Sequence, residues 1–247
     1  MICSTQAIVL NYKKFSDTSI ICNLYSKDYG KLGLIAKGVQ SLKNPHSAVL
    51  QPLNHIDLIY YYKSKRNIQL LKEASIINAY GNISTNYNKM LYTFIISDII
   101  NFSSYHNSPC SIIFRLTNKS LELINQCEDK FLDYYYIFFI LQLCIYLGYS
   151  PLLNKCYKCD SGVVAGRFDE LSGQLICSKC TNKKLIITKE EIDLVQYLSK
   201  THISKISNKF SSSGKILVAI KKYFFKFALY HIPELKKSKA FITFNKV

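Results

Sequence analysis

The sequence predicts an α+β, multidomain chain in which a small β-barrel is followed by an α-helical domain carrying an inserted four-cysteine zinc knuckle. Three observations predict it. Apolar residues alternate with period two over residues 1–80, the period changes to three or four from Asn86 onward, and two Cys-x-x-Cys pairs stand at Cys156/Cys159 and Cys177/Cys180. At 247 residues the chain exceeds the usual single-domain size. The expected division is residues 1–80 for the barrel, 81–154 together with 183–247 for the helical domain, and 155–182 for the knuckle.

Ala7 and Val9, flanked by Ile8 and Leu10, form a first strand. Ile20, Cys22 and Leu24 share one face of a second, and Leu32, Leu34 and Ala36 one face of a third. Lys27-Asp28-Tyr29-Gly30 reads as the hairpin turn between these two, with Gly30 supplying positive φ. Two further strands, 56–62 and 68–77, are separated by the basic run Lys63-Ser64-Lys65-Arg66-Asn67. Helical spacing then governs Met90, Thr93, Ile96 and Ile100, and again Ile113, Leu116, Leu121 and Ile124, before the apolar stretch 131–147. Thr188 followed by Glu191 is a capping box opening another helix, residues 208–214 read as a loop, and a long helix follows. Its apolar face carries Ile216, Ile220, Phe224 and Phe227, and Lys215, Lys222 and Lys226 lie opposite.

The cysteine pairs are separated by seventeen residues. A two-residue gap lets a tight turn aim both sulfurs at one metal, and two such turns complete a tetrahedron. Four thiolates leave no position for water or substrate, so one structural zinc per chain is expected, with Lys155, Lys158 and Lys179 offsetting thiolate charge. Redox pairs and an iron–sulfur cluster use the same residue type, but the paired layout favours zinc. The other five cysteines (Cys3, Cys22, Cys110, Cys127, Cys144) have no cysteine nearby and read as small core residues. Nine cysteines in all, with no secretory leader before the first strand, point to a reduced, cytoplasmic setting. Residues 134–149 are uncharged but too short for a membrane span and hold Gln142 and five tyrosines, so a core helix is expected and no membrane association.

The formal net charge is +16, with 32 basic and 16 acidic residues. Residues 1–80 carry 10 basic and 4 acidic side chains, and 183–247 carry 14 and 4, whereas 81–154 carry 4 and 5. Two basic ends around a near-neutral middle imply one or two basic faces and a polyanionic partner such as nucleic acid. Tyr60-Tyr61-Tyr62 precedes Lys63, Lys65 and Arg66. On a strand one tyrosine set faces opposite to the other, so either set can stack on unpaired bases or cover the barrel core. The lysine stripe of the last helix is equally readable as a solvated face or a phosphate contact.

No catalytic motif is present: HExxH, GxSxG and GxGxxG are absent from the sequence. Ser211-Ser212-Ser213-Gly214-Lys215 imitates a phosphate loop, but Lys209 holds the first required glycine position and Ile216 replaces the final Ser or Thr. The five histidines are scattered and read as surface or capping residues. The chain is therefore expected not to be an enzyme.

Taken in order, these segments resemble the RecO family of bacterial recombination mediators over essentially the whole chain. The resemblance rests on Val9-Leu10, Lys13, Phe15, Asp17 and Ile20-Ile21, then Asp28-Tyr29-Gly30-Lys31, Ala36-Lys37-Gly38 and Leu50-Gln51-Pro52-Leu53. Phe168 and Gly173 stand between the cysteine pairs where the family has a phenylalanine and a glycine pair. The chain departs from the family pattern at Val39-Gln40-Ser41, where arginines usually follow, at Gln174 in place of the second glycine, and at Lys13 in place of arginine.

The resemblance implies that the barrel is an OB-fold. It implies a DNA-binding recombination mediator that binds single-stranded DNA, with duplex DNA as a further ligand, and anneals complementary strands. Acting with RecR, such a protein loads RecA onto DNA coated by single-strand-binding protein, in a cytoplasmic, nucleoid-associated setting. Candidate DNA contacts are Lys13, Lys37 and Lys43 at the family's basic positions, Lys65 and Arg66 in the strand-connecting loop, and Lys215, Lys222 and Lys226 on the last helix. The alternatives are a zinc-containing protein–protein adaptor that binds no nucleic acid and an RNA-modifying enzyme with an OB-fold.

Overall fold

A computed structural model describes residues 1–39, 46–105, 108–151, 154–169, 172, 174–182, 187–201 and 214–244. The chain divides into two compact units, Met1–Gln126 and Cys127–Val247.

In the first unit five strands, β1 (Ile2–Lys14), β2 (Ile20–Ser26), β3 (Gly30–Ala36), β4 (His55–Tyr61) and β5 (Ile68–Asn78), form a barrel in the order β1-β2-β3-β5-β4. β4 pairs back onto β1, and β3–β5 is the parallel pairing of the barrel. A short helix, α1 (His46–Val49), precedes β4. The period-two residues fill the interior as expected: Ala7, Val9, Ile20, Cys22, Leu24, Leu32, Leu34 and Ala36 are all buried in one cluster. Ile8 and Leu10, on the other face of β1, are buried too. The helix α3 (Tyr87–Ser103) covers that face, and the Ser97 hydroxyl donates to the Leu10 carbonyl at 3.1 Å. A strand covered on both sides loses its alternation, which explains the continuous apolar run.

Three helices complete this unit: α2 (Gly81–Thr85), α3 and α4 (Ser111–Gln126). Asn86 caps α3 by accepting from the Lys89 N–H at 3.0 Å. The Asp28-Tyr29-Gly30-Lys31 motif proves to be a latch between barrel and helices. Asp28 accepts from the Thr5 hydroxyl at 2.6 Å, and Lys31 Nζ donates to the Asn101 carbonyl at 2.7 Å in the last turn of α3. A cation there satisfies an unpaired carbonyl and complements the helix dipole, and burial lowers the Lys31 pKa. Gly30 has φ 66°, and a Cβ on it would stand 2.5 Å from the Ser108 carbonyl oxygen. Gly30→Ala is expected to destabilise this unit by roughly 2–4 kcal/mol, combining left-handed strain with overpacking. Equilibrium denaturant unfolding checks it; a shift below 1 kcal/mol (about one-third of the expectation) would show that the turn relaxes freely.

His55 departs from the expected surface role, being 7% exposed on β4 with its ring edge-on to Phe114 at 5.8 Å. Packing of α4 over the barrel end buries it and lowers its pKa. Cys110 and Cys127 also depart from expectation: they are only half-buried, unlike Cys3, Cys22 and Cys144. They flank the two ends of α4 rather than lying on an apolar face.

The second unit is built around α5 (Leu132–Tyr146), buried on every side as a uniformly apolar helix must be. Among the described residues no helix is long and apolar enough to cross a membrane. α6 (Lys189–Lys200) and α7 (Gly214–His231) pack on α5. The capping box forms as its spacing predicts: the Thr188 N–H donates to the Glu191 carboxylate at 2.6 Å and the Glu191 N–H to the Thr188 hydroxyl at 3.4 Å. Gln142 donates to the carbonyls of Leu198 and Ser199 at the end of α6, and Lys221 pairs with Asp133 at 2.8 Å. A 3-10 turn, Pro233–Lys237, and α8 (Lys239–Phe244) end the described chain. Residues 208–213 of the expected loop lie outside the described residues.

Candidate metal centre and nucleic-acid interface

The knuckle is a two-stranded antiparallel ribbon, β6 (Gly166–Phe168) with β7 (Leu175–Cys177), preceded by a tight turn. In that turn Cys156 N–H donates to the Ser161 carbonyl and Asp160 N–H to the Cys156 carbonyl, both at 2.8 Å. Asp160 takes φ 58°, which folds Cys159 back toward Cys156. The second turn closes when Cys180 N–H donates to the Cys177 carbonyl at 3.1 Å. The four sulfurs then lie within 4.8 Å of one another, with Cys159 and Cys177 Sγ 3.7 Å apart. Sulfurs about 2.3 Å from a tetrahedral metal are roughly 3.8 Å apart, so the residues fit one ion.

The surroundings favour the thiolate at Cys156 and Cys159. Burial pushes the Cys156 thiol up, but backbone N–H groups of Cys177, Cys159 and Lys158 outweigh it and bring it down to about 6. The Cys177 N–H lies 3.4 Å from Cys156 Sγ. The Ser161 hydroxyl, 2.9 Å away, lowers Cys159, whereas the neighbouring thiols of Cys159 and Cys177 hold Cys180 up at about 12. Lys158 and Lys179 are exposed beside the site, while Lys155 is taken up by Asp160 at 2.9 Å.

Two features anchor the knuckle. Phe168 stacks on Tyr223 of α7 with ring centroids 4.1 Å apart, and Gly166 exchanges backbone hydrogen bonds with Ile187, just before α6. A Cβ on Gly166 would overlap the Ile176 carbonyl oxygen at 2.1 Å, so this glycine is a packing requirement the spacing of cysteines did not reveal. Gly173 lies outside the described residues.

On the barrel, Lys13 is exposed near the end of β1 and Lys37 is exposed just past β3. Lys65 and Arg66 are exposed in the β4–β5 loop, and Lys43 lies outside the described residues. The side chains of Lys13, Lys37, Lys63, Lys65 and Arg66 have no ion-pair partner among the described residues. Gln69 organises their loop. It is buried in β5, accepts from the Lys63 N–H at 2.8 Å, and donates to the carbonyls of Lys63 at 3.1 Å and Arg66 at 2.5 Å. The signal for it was a lone amide in an otherwise apolar strand start, Ile68-Gln69-Leu70-Leu71. Of the tyrosine triplet, Tyr60 is fully buried and Tyr62 packs against the same interior, whereas Tyr61 is 41% exposed.

On α7, Leu217, Ile220, Phe224 and Phe227 are buried. Lys222 is exposed and Lys226 half-buried, and together with Phe168, Ile187, Glu191 and Tyr223 they line a cavity of about 210 Å³. Lys215 lies in the first turn of α7, with its side chain outside the described residues.

Two family models match the chain, recombination protein O N terminal over residues 1–80 and recombination protein O C terminal over 84–240. Curated relatives named DNA repair protein RecO are similar. The protein of Chlorobium limicola is 30% identical over 156 residues, covering 63% of this chain and 59% of the relative. That of Chlorobium luteolum is 26% identical over 81% of both chains, and that of Syntrophomonas wolfei 22% identical over 83% of this chain and 84% of its own. The chain thus spans about 59% of the length of the first relative and most of the other two.

Proposed function

The chain belongs to the recombination protein O family, and from that membership we propose that it works in recombinational DNA repair as a non-enzymatic mediator. In this reading it binds single-stranded DNA, anneals complementary strands and, with RecR, helps load RecA onto DNA covered by single-strand-binding protein. One observation carries the DNA-binding part: Lys13, Lys37, Lys63, Lys65 and Arg66 are exposed cations on one barrel without ion-pair partners among the described residues. Exposed cations that no carboxylate neutralises are available to phosphates, and their counterions are released on binding. The four-cysteine cluster holds one zinc per chain as a structural ion, which braces the ribbon against α6 and α7.

Purified protein is expected to anneal complementary oligonucleotides, to bind single strands with a steep salt dependence, and to respond to RecR. Salt-insensitive binding, or none, would favour the adaptor reading instead. The lysines of α7 supply a second contact in this proposal. Substituting Lys215, Lys222 and Lys226 with glutamine keeps helix propensity and removes charge, so annealing should fall several-fold more than binding to one oligonucleotide. Equal changes in both assays would return this stripe to a solvated face.

A further inference from the structure

We propose that Tyr61 is a base-stacking platform on the outside of the barrel, served by the Lys63–Asn67 loop as a phosphate clamp. The proposal rests on the single-strand-binding reading above and names the residues that recognise unpaired bases. Tyr61 is 41% exposed on β4, and its ring and hydroxyl meet no partner among the described residues. Tyr12 on β1 is exposed to the same degree, but Tyr61 is the strand tyrosine that stands two residues before the cationic Lys63–Asn67 loop.

The register shows what surrounds it. Tyr61 pairs with Ile2 of β1 on one side and Leu70 of β5 on the other, and Leu70 pairs onward with Ile35 of β3. These side chains share the outer face, because Tyr60 and Leu71 beside them point into the core. Ile2 is 55% exposed and Ile68, two residues before Leu70, is 40% exposed. The result is an apolar strip across adjacent strands with the tyrosine near one end.

Charge selects the occupant. The loop that leaves this strand carries Lys63, Lys65 and Arg66, exposed and without ion-pair partners among the described residues. Its backbone is held by the buried Gln69, so the cations project from a preorganised turn rather than a loose one. At the other end the half-buried Ile35 pairs with Ile21, which is buried and ends the strip, and Ile21 pairs with the exposed Lys13. From Ile35 to Tyr61 is two strand spacings of about 4.8 Å, roughly 10 Å, room for one or two unpaired nucleotides. An apolar aromatic strip with cations at both ends complements a single-stranded nucleic acid, whose bases offer π faces and whose backbone is anionic. A duplex hides its base faces and would engage the loop alone.

The sequence contains no tryptophan, so Tyr61→Trp installs one reporter at the proposed contact. Full-length Y61W is titrated with a thymidine oligonucleotide and with an abasic oligonucleotide of the same length. Quenching of the indole by the thymidine strand and not by the abasic one is expected. In parallel, fluorescence anisotropy compares Y61F, Y61L and parent at fixed salt, with circular dichroism confirming the fold. Y61L should lose on the order of tenfold in affinity for the thymidine strand, Y61F should stay near the parent, and all three should share one salt slope. Salt-dependent parental binding with Y61L unaffected and no quenching in Y61W overturns the platform while leaving DNA binding in place. Absence of parental binding to either oligonucleotide overturns the single-strand reading and the platform with it.

Discussion

Replacing Cys177 with serine is expected to leave the protein without zinc and to loosen the whole second unit. Parental protein prepared without chelator should hold one zinc per chain by elemental analysis, and C177S none. Thiolate ligation of structural zinc contributes on the order of 10 kcal/mol in isolated zinc-finger peptides, so losing one of four ligands outweighs any ordinary point substitution. The effect should spread beyond residues 155–182. Phe168 on the ribbon stacks against Tyr223 of α7, and Gly166 bridges to Ile187 ahead of α6. Increased protease cleavage within the knuckle and a lower, broader thermal transition are the expected readouts. Chelation of the parent should reproduce them. C110S, at a half-buried cysteine remote from the cluster in sequence, should keep its zinc. Metal-free parental protein with unchanged stability would show that the four sulfurs are an unligated cluster.

The second large effect is expected from removing the barrel's cations at the family's basic positions. A variant with alanine at Lys13, Lys37 and Lys43 should bind single-stranded DNA at least tenfold more weakly at moderate salt. Its log–log salt slope should fall by about 2, since each phosphate contact to a single strand contributes roughly 0.7. The loss should be alike for all sequences, because phosphate contacts carry no base information. Folding should be preserved, because Lys13 and Lys37 are exposed and surface substitutions typically change stability by less than about 0.5 kcal/mol. An unchanged slope would move the DNA path away from this part of the barrel, toward the lysines of α7.

These expectations draw on different depths of the sequence. The four-cysteine cluster was legible because two-residue spacing is a local geometry: a turn with two sulfurs can be closed by nearby backbone hydrogen bonds, as at Cys156, Asp160 and Cys180. The capping box at Thr188 was legible for the same reason, its donors and acceptors lying within four residues. The interior of the barrel was legible from period two, since Ala7, Val9, Cys22 and Leu34 must share a face whichever strands they meet. Gly30 was legible because its positive φ belongs to the turn itself.

Tertiary structure decided what depends on partners far along the chain. Period two placed Tyr61 opposite Tyr60 and Tyr62, but only the barrel's closure around its core turned Tyr60 inward and left Tyr61 bare. The parallel pairing of β3 with β5 joins segments separated by a long connection, and no local signal encodes it. Lys31 looks in sequence like any other lysine beside a turn, yet it is consumed by the Asn101 carbonyl at the end of α3, seventy residues away. Lys221 is likewise taken by Asp133, while Lys222, its neighbour, stays exposed. Sequence by itself determined which residues could share a face, a turn or a metal, because short-range backbone geometry enforces those relations. Which lysines and which member of the tyrosine triplet stay exposed was decided by packing, because burial and ion pairing are set by what the rest of the chain brings alongside.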